Sequence, residues 1–161
     1  MDESLSLSSD VINLCVKHGL RLALTETSTG GYIAHLLTSH DGSSRAFAGS
    51  LVLYSALAKN VILDISMDLI QTEGQVSETL VNELLKSMEQ FPTDLNVAVS
   101  GIAGRSVEGK PHGTVIIGTD YNAKIQIKKF HFSGDRQEIK EQSAIEAFKM
   151  ILDRLADIDN E

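Results

Sequence analysis

Three short polar segments and one arginine carry the residue types that could do chemistry in this chain. Glu26-Thr27-Ser28-Thr29-Gly30-Gly31 packs three hydroxyls and two glycines into six residues. At a strand-to-helix turn a hydroxyl is held out toward a ligand, and nearby backbone N–H groups can stabilise an oxyanion. Gly30 and Gly31 suit close approach of a ligand to the backbone, since glycine is poor inside a helix but leaves room where a Cβ would not. The same segment has a purely structural use, with Ser28 or Thr29 capping the helix that follows. Tyr54-Ser55-Ala56-Leu57-Ala58-Lys59 sets a phenol at a strand end and an amine about one helical turn later. A lysine that serves as a base near neutral pH must fall roughly three units from about 10.4, worth about 4 kcal/mol from burial and neighbours. The alternative is a solvated surface lysine. Ser100-Gly101-Ile102-Ala103-Gly104 fits a phosphate-cradling loop or a turn that needs positive φ. Arg136 follows Phe132-Ser133-Gly134-Asp135 at a helix start, where its charge opposes the helix dipole. That placement calls for a partner such as Glu26 or a ligand phosphate, unless the side chain is simply solvated.

The elements that must position these segments follow from periodicity. Apolar residues at Leu7, Val11, Leu14 and Cys15 predict a helix over 5–18 that stops at Gly19. Residues 21–25 have strand length, the polar turn follows, and 32–37 read as a short helix. An apolar strand over 48–54 ends at Tyr54; helical patterns cover 55–63, 68–72 and, capped by Ser77, a stretch to about Gln90 that Phe91-Pro92-Thr93 ends. Residues 95–99 form a strand that delivers the Ser100–Gly104 loop. Strands over 113–119 and 124–132, joined at Asp120-Tyr121-Asn122, make an antiparallel hairpin. Asp135 opens a last helix to about residue 157. Helices alternating with apolar strands predict an α/β fold, a three-layer α/β/α sandwich around a mixed five-stranded sheet. Ligands in such sheets collect outside the carboxyl ends of the strands. The segments 26–31, 54–59 and 100–104 all follow strands, so Thr27, Lys59 and Ser100 are expected in one pocket. On an extended segment Ser28 would point away from it.

Bulk properties narrow the partners. At 161 residues the chain fits one domain, 1–161, with a core that needs no staples. Cys15 is the single cysteine and lies in an apolar helical stretch, which reads as a buried thiol in a reducing cytoplasm. No run of about 18 apolar residues suggests a membrane span, and the acidic start Met1-Asp2-Glu3 lacks the basic region of a secretory signal. A net charge of −8 argues against a nucleic-acid surface. The basic stretch from Lys124 to Lys129 alternates with apolar residues, as a strand's solvent face would. Five scattered histidines show no ligand spacing, so no metal is expected. A small-molecule partner remains the default.

Taken in order, the motifs resemble one family, the CinA carboxy-terminal domains. That family carries Glu-Ser-x-Thr-Gly-Gly, Gly-(Ala/Ser)-Ser, Tyr-Ser-x-x-x-Lys, Gly-x-Val-Ser-Glu, (Thr/Ser)-Gly-(Ile/Val)-Ala-Gly-Pro, Pro-x-Gly-Thr-Val and Phe-x-Gly-Asp-Arg. The matching segments here are Glu26–Gly31, Gly42–Ser44, Tyr54–Lys59, Gly74–Glu78, Ser100–Gly104, Pro111–Val115 and Phe132–Arg136. The resemblance implies the mixed-sheet sandwich of anticodon-binding-like domains. It also implies metal-free hydrolysis of the carboxamide of nicotinamide mononucleotide to nicotinate mononucleotide and ammonia, a step in pyridine nucleotide salvage. By position it makes Thr27 the nucleophile, Lys59 the base and Tyr54 an aid to proton transfer or positioning. Ser28, Thr29, Gly30, Gly31, Ser44, Ser100, Gly101 and Arg136 would contact the substrate, and the protein would be a cytoplasmic homo-oligomer. Full-length family members carry a further N-terminal domain. Two positions depart from the pattern: Thr27 stands where the family has serine, and Arg105 where it has proline. A threonine keeps the hydroxyl, but its methyl restricts χ1 and crowds an attack. The alternative reading is therefore a non-catalytic nucleotide-binding or interaction module on the same fold.

Overall fold

The computed structural model describes residues 2–158. Helix α1 (Asp2–His18) buries Val11, Ile12 and Cys15. Asp2 and Glu3 in its first turn complement the helix dipole, so the helix begins three residues before the apolar pattern does. It stops at Gly19, whose φ of 65° lets the Leu20 N–H reach back to the Cys15 carbonyl at 2.9 Å. Burial, with a smaller push from Asp94, raises the Cys15 pKa to about 11, which makes it the core thiol expected.

Strands β1 (Leu22–Glu26), β2 (Phe47–Val52), β3 (Leu95–Gly101), β4 (Thr114–Tyr121) and β5 (Lys124–His131) form one sheet in the order β2-β1-β3-β4-β5. The first three run parallel and the last two antiparallel, giving the mixed sheet. Strands β1, β3 and β4 are buried on both faces, hence their near-continuous apolar sequence. Lysines mark the outer edge at β5, the strand's solvent face expected from the alternation. Asn122 and Ala123, at φ 53° and 57°, make the two-residue hairpin turn. It falls after Asp120-Tyr121 because β4 pairs as far as Tyr121 opposite Lys124.

Among the described residues, six helices complete the three layers. Helix α1 packs with α2 (Tyr32–Thr38) and α6 (Arg136–Arg154) on one face of the sheet. The other face carries α3 (Ala56–Leu63), α4 (Met67–Glu73) and α5 (Glu78–Met88). Ser77 caps α5 as expected, accepting from the Leu80 N–H at 3.1 Å. The chain leaves β1 through α2 to reach β2 on one side, then crosses through α3–α5 to β3 on the other. The carboxyl ends of β1 and β3 therefore diverge at a topological switch point, where the sheet opens a crevice.

The turn out of β1 is held by the strand's last residue. Glu26 is fully buried, and its carboxylate accepts from Thr29 Oγ1 (2.7 Å), the N–H groups of Gly31, Ile33 and Ala34 (3.0–3.1 Å) and Ser50 Oγ (3.1 Å). It thus caps α2 from outside the helix. Gly31 occupies the N-cap position with no side-chain bond of its own, so neither Ser28 nor Thr29 acts as the cap. Bonds to a charged acceptor contribute about 1.5–3 kcal/mol each, and a glutamine would turn one acceptor oxygen into a donor facing donors. Glu26→Gln is expected to lower unfolding free energy by roughly 2–4 kcal/mol in urea titration; a loss below half a kcal/mol would mean the turn is held elsewhere.

Candidate active site

A cavity of about 340 Å³ opens at the switch point between β1 and β3. Thr27 and Ser28 line it from the turn after β1, and Ser100 to Arg105 line it from the end of β3 and its loop. Tyr54, Lys59, Gln75 and Val76 close the side of α3–α5, and Arg136 stands at the start of α6. Thr27, Lys59 and Ser100 thus share one cavity, as the strand-end pattern predicted. The volume lies within the range of small-molecule pockets. Val76, Ile102 and Ala103 give it an apolar wall beside the polar groups.

Lys59 is the departure from an ordinary surface lysine: only 1% of it is exposed. Its Nζ donates to two neutral acceptors, Gln75 Oε1 at 3.2 Å and the Ser55 carbonyl at 3.4 Å. Burial lowers its pKa below the ordinary 10.5, against a weaker opposing pull from Glu108. Helix α3 thus buries its cation together with Leu63 and leaves Leu57, Val61 and Ile62 exposed. Gln75 was not singled out in the sequence, although it sits within the Gly74–Glu78 motif. Besides holding Lys59, its carbonyl accepts from Ser100 Oγ at 2.6 Å and its N–H donates to Glu108 Oε1 at 2.9 Å.

Thr27 and Ser28 both face the cavity, which corrects the expectation that Ser28 points away. Strand β1 ends at Glu26, and residues 27–30 form a turn closed by the Gly30 N–H to the Thr27 carbonyl at 3.1 Å. Strand alternation does not extend through a turn. Thr27 is latched to β3, its Oγ1 donating to the Val99 carbonyl at 3.0 Å and its N–H to the same oxygen at 3.1 Å. Ser28 Oγ is buried without a hydrogen-bond partner among the described residues. Tyr54 lies at the mouth, 67% exposed.

Other predicted contacts fall elsewhere. Thr29 spends its hydroxyl on Glu26. Gly30 and Gly31 do not line the cavity: a Cβ on Gly30 would lie 3.6 Å from Lys140 Nζ, and one on Gly31 3.6 Å from Val52. Their positive φ values (61° and 95°) serve the turn that Glu26 ties down. Ser44 is exposed in the 3₁₀ turn Ser43–Arg45 ahead of β2, where its carbonyl accepts from Arg21 at the amino end of β1. It sits at the opposite end of the parallel strands from the cavity. Glu26 is not the partner of Arg136. The guanidinium has no hydrogen bond or ion pair to a described residue and packs over Gly104, where a Cβ would come within 2.7 Å of Nη2. Asp135 and Glu138 form a capping box that accommodates the cation at this helix start.

His112 ties the two cationic borders of the site together. Its Nδ1 bonds to the Gly104 carbonyl and its Nε2 to the Gly134 carbonyl at 2.8 Å. Carbonyls only accept, so both ring nitrogens must carry protons, and the clasp is complete only as imidazolium. The bonds to Gly134 and Gly104 raise the His112 pKa above 6.5, with burial and Arg136 opposing. A raised folded pKa gives stability that is fully present below the unfolded value and lost as pH rises through the folded one. The melting-temperature gap between wild type and His112→Asn should therefore be widest near pH 6 and shrink toward pH 9. A gap independent of pH would sink the clasp.

An α/β domain with a buried lysine and hydroxyls at its switch point is the class that the fold and site define. Residues 4–155 match the profile of the CinA C-terminal domain, and the chain belongs to that family. It is 38% identical over 151 residues to a CinA-like protein of Petrotoga mobilis, covering 92% of this chain and 38% of that protein. A CinA-like protein of Fervidobacterium nodosum is 39% identical over 144 residues, covering 88% and 35%. The chain thus spans a little over a third of the length of these curated relatives. Among solved structures, the competence damage-inducible protein A of Klebsiella pneumoniae superposes with a TM-score of 0.91 at 26% identity, covering 95% of this chain and 97% of that one.

Proposed function

We propose that this domain hydrolyses the carboxamide of nicotinamide mononucleotide, releasing ammonia and nicotinate mononucleotide. The observation that carries the reading is Lys59: a buried amine on neutral acceptors, in one cavity with the hydroxyls of the Thr27-Ser28 turn. Burial favours the neutral amine, the form that accepts a proton from an attacking hydroxyl. The same lysine then returns that proton to the departing nitrogen, and later to the hydroxyl when water cleaves the acyl ester. The amide of Ser28, a residue lining the cavity, donates to no described residue, which leaves it for the developing oxyanion. The apolar wall of Val76, Ile102 and Ala103 suits a pyridine ring, and Arg136 with Arg105 at the rim suits a phosphate.

A second copy of the chain would cover the outward face of α3. Leu57, Val61 and Ile62 of α3 are 65%, 71% and 53% exposed, and Val52 and the cavity-lining Tyr54 just ahead of α3 are exposed too. Sedimentation of Val61→Glu against wild type checks this; two equally monomeric proteins would remove the oligomer from the reading.

Ammonia release from nicotinamide mononucleotide by the purified protein tests the activity. Turnover should climb with pH along a limb whose midpoint lies below 10.5, because Lys59 must lose its proton and burial has lowered its pKa. Lys59→Ala should abolish turnover and keep the fold. Arg136→Ala should weaken the mononucleotide by about 1.5–3 kcal/mol and the riboside much less, as expected for a charge-assisted phosphate contact. Nucleotide binding with no ammonia from wild type would instead support a non-catalytic binding module.

A further inference from the structure

The turn offers two adjacent hydroxyls, and they are not equivalent. Thr27 Oγ1 donates its proton to the Val99 carbonyl, an acceptor inside β3 that stays in place through any reaction. Releasing it means rotating χ1 of a β-branched side chain in a site only 5% exposed. Ser28 lines the same cavity as Lys59 and is 9% exposed, and its Oγ makes no hydrogen bond to a described residue. A hydroxyl buried without a partner costs about 1–3 kcal/mol, and Ser28 Oγ, unlike Thr27 Oγ1, has no hydrogen bond to break before it can act. Gly101 leaves the hydroxyl room on the β3 side: a Cβ there would stand 3.0 Å from Ser28 Oγ, besides 2.7 Å from Val115 Cγ2 in β4.

Resting on the amidase reading above, we propose that Ser28 Oγ, and not Thr27 Oγ1, is the atom that attacks the carboxamide carbon. The Oγ–C bond forms as the hydroxyl proton passes to the neutral amine of Lys59. The oxyanion collapses, the C–N bond breaks, and the nitrogen leaves as ammonia with the proton that Lys59 returns. Water then adds to the Ser28 ester with its proton on Lys59. The O–C bond to Ser28 breaks, Oγ regains its proton, and the carboxylate departs. Thr27 acts as a positioning residue, pinning the turn to β3 so that the next side chain faces the amine.

Two readouts on the full chain test this. In ammonia release, Ser28→Ala should lose on the order of 10³-fold or more, whereas Thr27→Val, which removes the hydroxyl but keeps the shape, should lose less than about tenfold. Thermal melting of each variant confirms folding, and Thr27→Ala serves if Thr27→Val does not fold. The second readout needs no pyridine nucleotide: the protein is treated with a fluorophosphonate and the modified peptide is sequenced by mass spectrometry. The adduct should lie on Ser28, persist in Thr27→Val and disappear in Ser28→Ala. An adduct on Thr27, no adduct on wild type, or turnover that survives Ser28→Ala would overturn the assignment. An adduct on Ser28 without ammonia from nicotinamide mononucleotide would keep the nucleophile and reject that substrate.

Discussion

The site depends on one buried carboxylate. Glu26 ends a strand that is covered on both faces, so its charge has no water and must be met by protein donors. Five donors converge on it: two hydroxyls and three backbone N–H groups from the turn, α2 and β2. Because three of those N–H groups belong to the first residues of α2 and its cap, the charge also sits favourably at the positive end of that helix. The path of residues 27–31 is the only slack between strand and helix, and satisfying the carboxylate removes it. Ser50 extends the same tie to the neighbouring strand, so the carboxyl ends of β1 and β2 are set together.

Lys59 presents the complementary problem, a buried cation with no carboxylate beside it. Desolvation of an ammonium costs several kcal/mol, and two neutral oxygens at 3.2 and 3.4 Å offset only part of that. Burial lowers the Lys59 pKa below its ordinary value, against a weaker opposing pull from Glu108. The local price appears on the opposite side of α3, where the apolar residues that a helix normally buries face outward. Gln75 holds the arrangement, because its side chain holds Lys59 while its backbone holds Ser100 and Glu108, locking α3 to β3 through a single residue.

The fold was legible because its signals are periodic and redundant. Apolar runs of strand length, a Ser77 cap and the terminating Gly19 each reflect chemistry within a few residues, and all reappear in the structure. The cavity was legible for a topological reason, since segments that follow parallel strands share an edge. Individual roles were less so. Thr29 and Gly31 look like ligand contacts in sequence, yet bond to Glu26, whose further donors Ile33 and Ala34 lie seven and eight residues on and leave no local pattern. Ser44 belongs to a motif but lies at the amino end of the strands, a distance that order along the chain does not encode. Lys59 could be read as base or surface residue, since burial of a helix face depends on what packs against it.

The register of the turn shows how the family's pattern and the departure at Thr27 fit one geometry. In an extended segment, moving a hydroxyl by one residue carries it to the other side of the sheet, and the site is lost. After Glu26 the chain is no longer extended: the Thr27 carbonyl accepts from Gly30, and residues 27 and 28 both border the cavity. Adjacent positions in such a turn can divide two tasks that a lone serine would combine, anchoring to β3 and presenting a free hydroxyl. Threonine is the better anchor, because its branched Cβ holds one rotamer toward Val99. Serine is the better free group, because its smaller side chain tolerates the narrow space that Gly101 leaves open. A departure that looks like a lost nucleophile at position 27 is thus compatible with a complete site, provided the hydroxyl and the buried amine still share the same 340 Å³.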